Sequence, residues 1–372
     1  MIISYSLYQI QNSGDNVKKI ILTGGGTAGH VIPNLALLPS LKEAGFDVHY
    51  IGSHNGIERG LVEAAGIPYY GISSGKLRRY FDMKNVTDIF RIVKGLTDAH
   101  KIMGKIKPDI IFSKGGFVVV PVIAAAKMRG VKSVIHESDI TPGLANRLVL
   151  PFSAKVCTSF PETLTHLPQN KSVLTGSPIR VDLLKGSVAK GLYYVGFKPM
   201  GKPVLLVTGG SQGAVAINTC VRETLPKLLE KFRVIHLCGK NNLSGIAQKN
   251  YVEFEYLSNE MPDVMAAADV VISRAGANTI FELLAMKKPH LLIPLPKGKS
   301  RGDQILNAAS FEKQGFSAVL PEEAMTPASL VDALCKLYDM RENFVTKMSS
   351  HKTADGIQGI MHVITHTLEM KM

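Results

Sequence analysis

Short apolar runs alternate along the chain with stretches in which apolar positions recur at helical spacing. This is the pattern of strands buried on both faces and crossed over by helices. Lys18–Thr23 reads as the first strand, followed by a glycine loop and a helix from about Val31 to Ala44. Val48–Ile51, Ile110–Phe112, Ser133–His136 and Lys155–Thr158 continue the strand series. Near Pro203 the pattern restarts: Val204–Thr208 is a strand that ends in a second glycine loop, Gly209–Gly213. Val234–Leu237, Val252–Glu255, Val270–Ser273, His290–Ile293 and Ala318–Leu320 follow. The two openings, ILTGGGTAG and LLVTGGSQG, are alike in kind. The expectation is an α/β chain of two Rossmann-like domains with parallel sheets, residues 17–184 and 203–350, joined by the glycine-rich segment Lys185–Lys202. Ligands of such sheets bind beyond the carboxyl ends of the strands, so both glycine loops should face a central cleft.

Composition narrows the class. The 372 residues are 45% hydrophobic and 20% charged, a globular balance. The longest uncharged apolar run, Phe117–Ala126, falls well short of the ~20 residues a spanning helix needs, which argues against an integral membrane protein. The four cysteines, Cys157, Cys220, Cys238 and Cys335, form no CxxC pair, so neither a disulfide scaffold nor a zinc site is expected and a reducing cytoplasm is favoured. Met1–Asn16 lacks a basic n-region and reads as an extension, not a signal peptide. The formal net charge is +13. It is concentrated in Lys76–Lys107, where nine basic and three acidic side chains are interleaved with Leu77, Tyr80, Phe81 and other apolar residues. Composition alone leaves three readings of this stripe open: a solvated helix face, a nucleic-acid surface, or a patch that rests on anionic lipid.

Gly24, Gly26 and Gly29 satisfy G-x-G-x-x-G in a strand–loop–helix context, which points to an anion or close-ligand site. The second strand, Val48–Ile51, runs into Gly52-Ser53 with no carboxylate for a ribose hydroxyl, so a nicotinamide dehydrogenase is disfavoured. His30 follows the loop at the start of a helix. It is either a general base or a helix-start histidine without a chemical role. In the second loop Ser211 and Gln212, with exposed amides, suit a diphosphate without a metal. Further on, the helix start at Ala277, Asn278 and Thr279 suits phosphate, Glu282 can accept from two ribose hydroxyls, and Asp303 and Gln304 are side chains of the kind that grip sugar hydroxyls.

Six motifs in order give these features a family context: GGGTAGH at Gly24–His30, HES at His136–Ser138 with PGLAN at Pro142–Asn146, TGSPIR at Thr175–Arg180, GGSQGA at Gly209–Ala214, SRAGANTIFE at Ser273–Glu282 and GDQILNA at Gly302–Ala308. On them the chain resembles the MurG family of GT-B glycosyltransferases over roughly residues 18–345. The resemblance implies a first domain for acceptor and membrane docking, a second that binds UDP-GlcNAc, and a C-terminal helix within 351–372 that crosses back to the first. It implies Thr27, Ala28 and Gly29 near the donor sugar or its phosphates, Arg180 and Ser211 at the diphosphate and nucleoside, and Ser258, within Leu257–Met261, beside the uracil. It places phosphate and ribose at Ala277–Glu282 and the GlcNAc hydroxyls at Gln304. Where the commoner family pattern has Gln-Asn after His-Glu, this chain has Ser138-Asp139, so Asp139 stands at a donor-contacting position with an added negative charge. Two residues also appear inserted in the Pro296–Arg301 loop.

The implied reaction is inverting transfer of GlcNAc from UDP-GlcNAc to the C4 hydroxyl of MurNAc in lipid I, giving lipid II for peptidoglycan synthesis at the cytoplasmic membrane face. His30 is the expected base and Glu137 its rival. The resemblance implies no metal or other cofactor, and without a DxD-type site the helix starts, the Gly209–Gly213 amides and Arg180 would have to stabilise the departing UDP. The resemblance also favours the lipid reading of the basic stripe: Leu77, Arg78, Arg79, Tyr80 and Phe81 would dock on anionic inner-membrane lipids, and nucleic acid drops out as a partner. Other cell-wall synthesis proteins are further expected partners. The rival functions are a UDP-GlcNAc 2-epimerase, another lipid glycosyltransferase of the same fold, and a non-catalytic sugar-nucleotide-binding module.

Overall fold

β1 (Lys19–Thr23) is buried along nearly its whole length and pairs in parallel on both sides, as its uninterrupted Ile-Ile-Leu core requires. The computed structural model describes residues 17–75, 84–210, 213–298, 300–351 and 355–370. Around β1 lies a seven-stranded sheet built from β2 (Asp47–Ser53), β3 (Tyr69–Ile72), β4 (Ile110–Ser113), β5 (Lys132–Glu137), β6 (Lys155–Thr158) and β7 (Ser172–Leu174). Its order is β3-β2-β1-β4-β5-β6-β7, every pair parallel. The second sheet comprises β8 (Val204–Thr208), β9 (Arg233–Leu237), β10 (Tyr251–Phe254), β11 (Val270–Ser273), β12 (His290–Leu292) and β13 (Ala318–Val319). It runs β10-β9-β8-β11-β12-β13, again all parallel. Each sheet reverses its strand order once, between β1 and β4 and between β8 and β11. Those switch points open a crevice at the carboxyl ends of the strands.

Contacts divide the chain into two units. One runs to Pro178 and takes in the helix Gly356–Glu369; the other begins at Ile179. The helix belongs to the first unit because Ile357, Ile360, Met361, Val363 and Ile364 join Ile20, Leu22, Val48 and Ile110 in one apolar cluster. Gly356 permits this close approach, since a Cβ there would strike the Ser177 carbonyl.

The passage from one unit to the other comes before residue 184, and the segment expected as a linker is structured. Val181–Lys185 forms a 3₁₀ turn and Val188–Tyr194 a helix, both within the second unit. Gly186 and Gly191 are packing residues here. A Cβ on either would collide with the Pro262 or the Asp263 carbonyl, so the helix lies backbone-close to the helix Met261–Ala267. The Ser187 amide also donates to Asp263 Oδ1 at 2.7 Å.

Other differences from the sequence reading are local. The helix expected over Val31–Ala44 is two, Ala28–Ala36 and Leu38–Glu43, the second beginning at the Leu38-Pro39 step. The edge strands β3 and β7 were not foreseen. The apolar run Phe117–Ala126 lies mostly in the helix Val119–Met128, whose Val122, Ile123, Ala125 and Ala126 are core residues. No helix among the described residues is long and apolar enough to cross a membrane.

Candidate active site

In the first unit the loops that follow β1 and β4 meet at the switch point. The Gly25 amide donates to the Gly115 carbonyl at 3.3 Å, and a Cβ on Gly116 would strike the Gly25 carbonyl. Gly115 and Gly116 hold φ of +102° and +89°, a region that disfavours any residue with a Cβ. Beneath the first loop, Tyr50 donates its hydroxyl to the Gly24 carbonyl at 2.8 Å, and Asn34 donates to Thr23 O at 3.1 Å. The loop also faces an anion of the protein's own. Fully buried Glu58 accepts from the amides of Gly26 at 3.3 Å and Ser53 at 2.9 Å. The carboxylate of Glu58 thus occupies the space beside Gly25.

Thr27 stands at the N-cap position of the helix Ala28–Ala36 without a side-chain capping bond, and Ala28, Gly29 and His30 form its first turn. His30 Nδ1 lies 2.9 Å from the Gly25 carbonyl and 3.2 Å from Thr27 Oγ1. A carbonyl only accepts, so Nδ1 carries the proton and Nε2 is the basic nitrogen of the neutral ring. Nε2 lies 3.6 Å from the point where a Gly115 Cβ would sit, and Asn146 Oδ1 lies 3.8 Å from the same point. The Asn146 amide cannot be turned round, because its Nδ2 donates to His136 O at 3.1 Å and to Glu137 Oε2 at 2.8 Å. Its Oδ1 is buried and makes no hydrogen bond. A basic nitrogen and an unused acceptor thus border the space that Gly115 leaves.

Glu137 is tied into the loop that follows β5. Its carboxylate accepts from the amides of Asp139 at 3.0 Å and Gly143 at 2.8 Å as well as from Asn146. It therefore holds the 138–143 loop in shape, and its lone pairs are engaged in doing so. Asp139 lies on that loop, its carbonyl accepting from Thr163 Oγ1 at 3.1 Å. Lys114, which directly follows β4, is buried against the same loop. Its Nζ lies 2.7 Å from His136 Nδ1 and 2.6 Å from Ser138 Oγ. Burial pushes the Lys114 ammonium down to about 7, opposed by Glu137 and Asp139. His136 donates from Nε2 to the Gly176 carbonyl at 3.1 Å, and burial together with Lys114 keeps it neutral.

In the second unit the glycine loop after β8 turns on Gly210 and Gly213, at φ +83° and +75°, closed by the Gly213 amide on the Gly210 carbonyl at 2.9 Å. Ser211 and Gln212 lie outside the described residues, as do Leu77, Arg78, Arg79, Tyr80 and Phe81. Across the switch point, Gly276 precedes the helix Ala277–Ala285, so Ala277, Asn278 and Thr279 form its first turn. Glu282, further along this helix, is half-buried. Desolvation raises its carboxyl to about 7, partly offset by Arg180, whose Nε lies 3.7 Å from Oε1. Arg180 also faces Asp182 at 3.9 Å. The two residues expected at diphosphate and ribose are therefore neighbours.

Gln304 and Asp303 open the helix Asp303–Lys313. Gln304 Oε1 accepts from the Leu295 amide at 3.1 Å, which fixes the NH₂ end of its amide as the donor. Asp303 faces Arg301 at 3.6 Å. Buried Asn307 ties this helix to the loop after β11 by donating to Ala275 O at 3.2 Å. Ser258 is exposed just before the helix Met261–Ala267.

One group of metal-ligand type occurs among the described residues, His236, Cys238 and Glu253. Its donors are already engaged. His236 bonds Tyr251 and Asn218, at 3.0 Å each, and Glu253 accepts from Arg222 at 2.9 Å and from the Ser244 amide at 2.7 Å. Arg222 also lies 3.3 Å from Cys238 Sγ, so a cation there would face a guanidinium.

Glu58, Lys114 and Asn146 are the residues that sequence reasoning passed over. Lys114 had a usable signal: Lys114-Gly115-Gly116 repeats the strand-then-glycine pattern of the first loop at the neighbouring strand.

The comparisons agree with this architecture. The model of the glycosyltransferase family 28 N-terminal domain matches residues 20–158, and that of the C-terminal domain matches residues 204–361. A UDP-N-acetylglucosamine–N-acetylmuramyl-(pentapeptide) pyrophosphoryl-undecaprenol N-acetylglucosamine transferase of Clostridium botulinum (strain Loch Maree / Type A3) is 55% identical over 350 residues, 94% of this chain and 99% of its own. The transferase of the same name from Lachnospira eligens is 57% identical over the same shares. The crystal structure of Acinetobacter baumannii MurG superposes with a TM-score of 0.72 at 24% identity, covering 94% of this chain and 99% of that one. The fold is thus that of a GT-B glycosyltransferase, and the chain belongs to glycosyltransferase family 28, among the N-acetylglucosamine transferases of the MurG family.

Proposed function

We propose that this protein transfers GlcNAc from UDP-GlcNAc to the C4 hydroxyl of MurNAc in undecaprenyl-pyrophosphoryl-MurNAc-pentapeptide, converting lipid I to lipid II. The observation that carries this reading is identity above half, over nearly the whole of both chains, to transferases named for that donor and acceptor.

The chemistry asks for three things. The acceptor hydroxyl is a poor nucleophile and must lose its proton as it attacks C1. The C1–O bond to UDP must break on the opposite face, so the α-linked donor yields a β-linked product. The charge that develops on UDP must then be met. His30 Nε2 takes the proton, and the Nδ1–H bond to the Gly25 carbonyl steadies the imidazolium that forms. Asn146 Oδ1 orients the hydroxyl in the space above Gly115. In the second unit, the first turn of the helix Ala277–Ala285, the amides of the 209–213 loop and Arg180 hold the diphosphate. Glu282 accepts from the ribose, and Gln304 donates to the sugar. No metal ion takes part in this scheme. The basic stripe around Arg78 and Arg79 brings the enzyme to anionic lipid at the cytoplasmic face, where its acceptor is tethered.

The test is incubation with UDP-GlcNAc in the presence and absence of a lipid I analogue, with EDTA added throughout. UDP released only with acceptor supports the reading. A C2-inverted donor formed without acceptor identifies an epimerase instead, and turnover lost with EDTA removes the metal-free scheme.

A further inference from the structure

The peptide between Gly25 and Gly26 is engaged at both ends. Its carbonyl accepts from His30 Nδ1 at 2.9 Å, and its N–H donates to Glu58 Oε2 at 3.3 Å. Glu58 opens the helix Glu58–Ala64 and is fully buried. Its other oxygen, Oε1, accepts from the Ser53 amide at 2.9 Å and from the Ser53 hydroxyl. Among the described residues no basic side chain forms an ion pair with it: Arg59, next along the helix, pairs with Glu63. A carboxylate buried without a counter-ion is destabilising unless hydrogen bonds offset the lost water, and these donors supply them. The chain also makes room for the side chain at three glycines. A Cβ on Gly25, Gly52 or Gly56 would strike Glu58. None of the three holds a positive φ, so space and not backbone angle asks for glycine there. Tyr69, whose phenol is pushed up by burial and by the charge of Glu58, donates to the Ser53 carbonyl at 2.5 Å and steadies the strand end that carries this serine.

We infer that Glu58 is a positioning residue for His30, acting through the Gly25–Gly26 peptide: its carboxylate takes the N–H of that peptide and so aims and polarises the carbonyl that holds the ring. The inference rests on the proposed transfer reaction, in which His30 is the base. Both hydrogen bonds act through one conjugated group. An N–H drawn toward a negative charge leaves the carbonyl of its own peptide more negative, so the Gly25 oxygen is a stronger acceptor for Nδ1–H with Glu58 in place. The effect grows as the ring takes the acceptor's proton and becomes cationic. Glu58 therefore favours the state that the reaction passes through while touching neither substrate.

The test is a double-mutant cycle in the full chain, Glu58→Gln, His30→Ala and the pair, with kcat and KM measured for UDP-GlcNAc and a lipid I analogue. Glutamine keeps the size of the side chain and removes its charge. In the wild type the change is expected to lower kcat about tenfold, the worth of one charge-assisted hydrogen bond, with KM for UDP-GlcNAc held within about twofold. In the His30→Ala background, where no base remains to position, it should change kcat by about twofold or less. Wild-type kinetics in Glu58→Gln would overturn the inference, as would an equal loss in both backgrounds, the mark of a residue that merely holds the fold. Should Glu58→Gln not fold, Ser53→Ala, which removes one of the donors that hold the carboxylate, is expected to lower kcat about threefold only while His30 is present, and an unchanged kcat would overturn the inference equally. A wild type that makes no disaccharide would instead sink the transfer reading. In that case NMR of ¹⁵N-histidine-labelled protein still tests the placement, with the His30 signals identified by their loss in His30→Ala. The ring should carry its proton on Nδ1 in the wild type and populate the Nε2–H form in Glu58→Gln, and a ring identical in the two proteins would refute it.

Discussion

At His30 the tautomer follows from one partner. Because the Gly25 carbonyl can only accept, the ring carries its proton on Nδ1, which makes Nε2 the nitrogen that could take one up. His30→Ala should lower kcat about 10²–10⁴-fold, the usual worth of a positioned base, while isothermal titration finds UDP-GlcNAc affinity within a few-fold of wild type. Equal losses in both would make His30 a binding residue. Glu282 makes a prediction of a different kind. Its carboxyl is raised to about 7, so as pH climbs through neutrality it loses its O–H donor and becomes the acceptor-only carboxylate that the proposed ribose contact calls for. UDP-GlcNAc affinity should therefore rise between pH 6 and 8 in the wild type, and Glu282→Gln should bind more weakly with that rise gone. The linkage has a cost. Between the ordinary carboxylate range and about 7 the folded chain holds a proton that the unfolded chain has lost, so folding stability falls as pH rises through this window. Denaturant melts of wild type and Glu282→Gln across the same range check the sign.

The helix Gly356–Glu369, last among the described elements, buries its apolar face in the core of the first unit. Ile364 is fully buried there, and Ile364→Ala should destabilise that unit by about 2–5 kcal/mol in denaturant unfolding. A loss below ~1 kcal/mol would mean that the helix merely rests on the surface. Elements such as β1, β4, β8 and β11 were legible in the sequence because a strand buried on both faces must be apolar throughout. The edge strands β3 and β7 were not, since Tyr69-Tyr70-Gly71 and Ser172–Leu174 are half-exposed and carry no such run. Gly186 and Gly191 misled for a plainer reason. A glycine needed for close helix packing and one needed for a flexible joint are the same letter, and only the carbonyls of Pro262 and Asp263 tell them apart. The site divides in the same way. The loops and His30 could be read from local pattern, whereas Lys114, Asn146 and Glu58 acquire meaning only through partners far along the chain.

At the scale of the whole molecule, two parallel sheets with one switch point each give the protein two places to hold a ligand. The excess of basic residues in Lys76–Lys107, nine against three acidic, adds a reason to sit on an anionic surface, at about 1 kcal/mol for each basic residue close to it. Reversing Arg78 and Arg79 should release the protein from phosphatidylglycerol vesicles, and raised salt should do the same to the wild type; sedimentation unchanged in both would refute docking by charge. The transfer itself is most directly tested by isolating the saccharide made from UDP-GlcNAc and a lipid I analogue and reading the new anomeric proton by NMR. A large trans-diaxial coupling, with the linkage at O4 of MurNAc, is the expected result. An α linkage, or an acceptor recovered unchanged beside a C2-inverted donor, would contradict it.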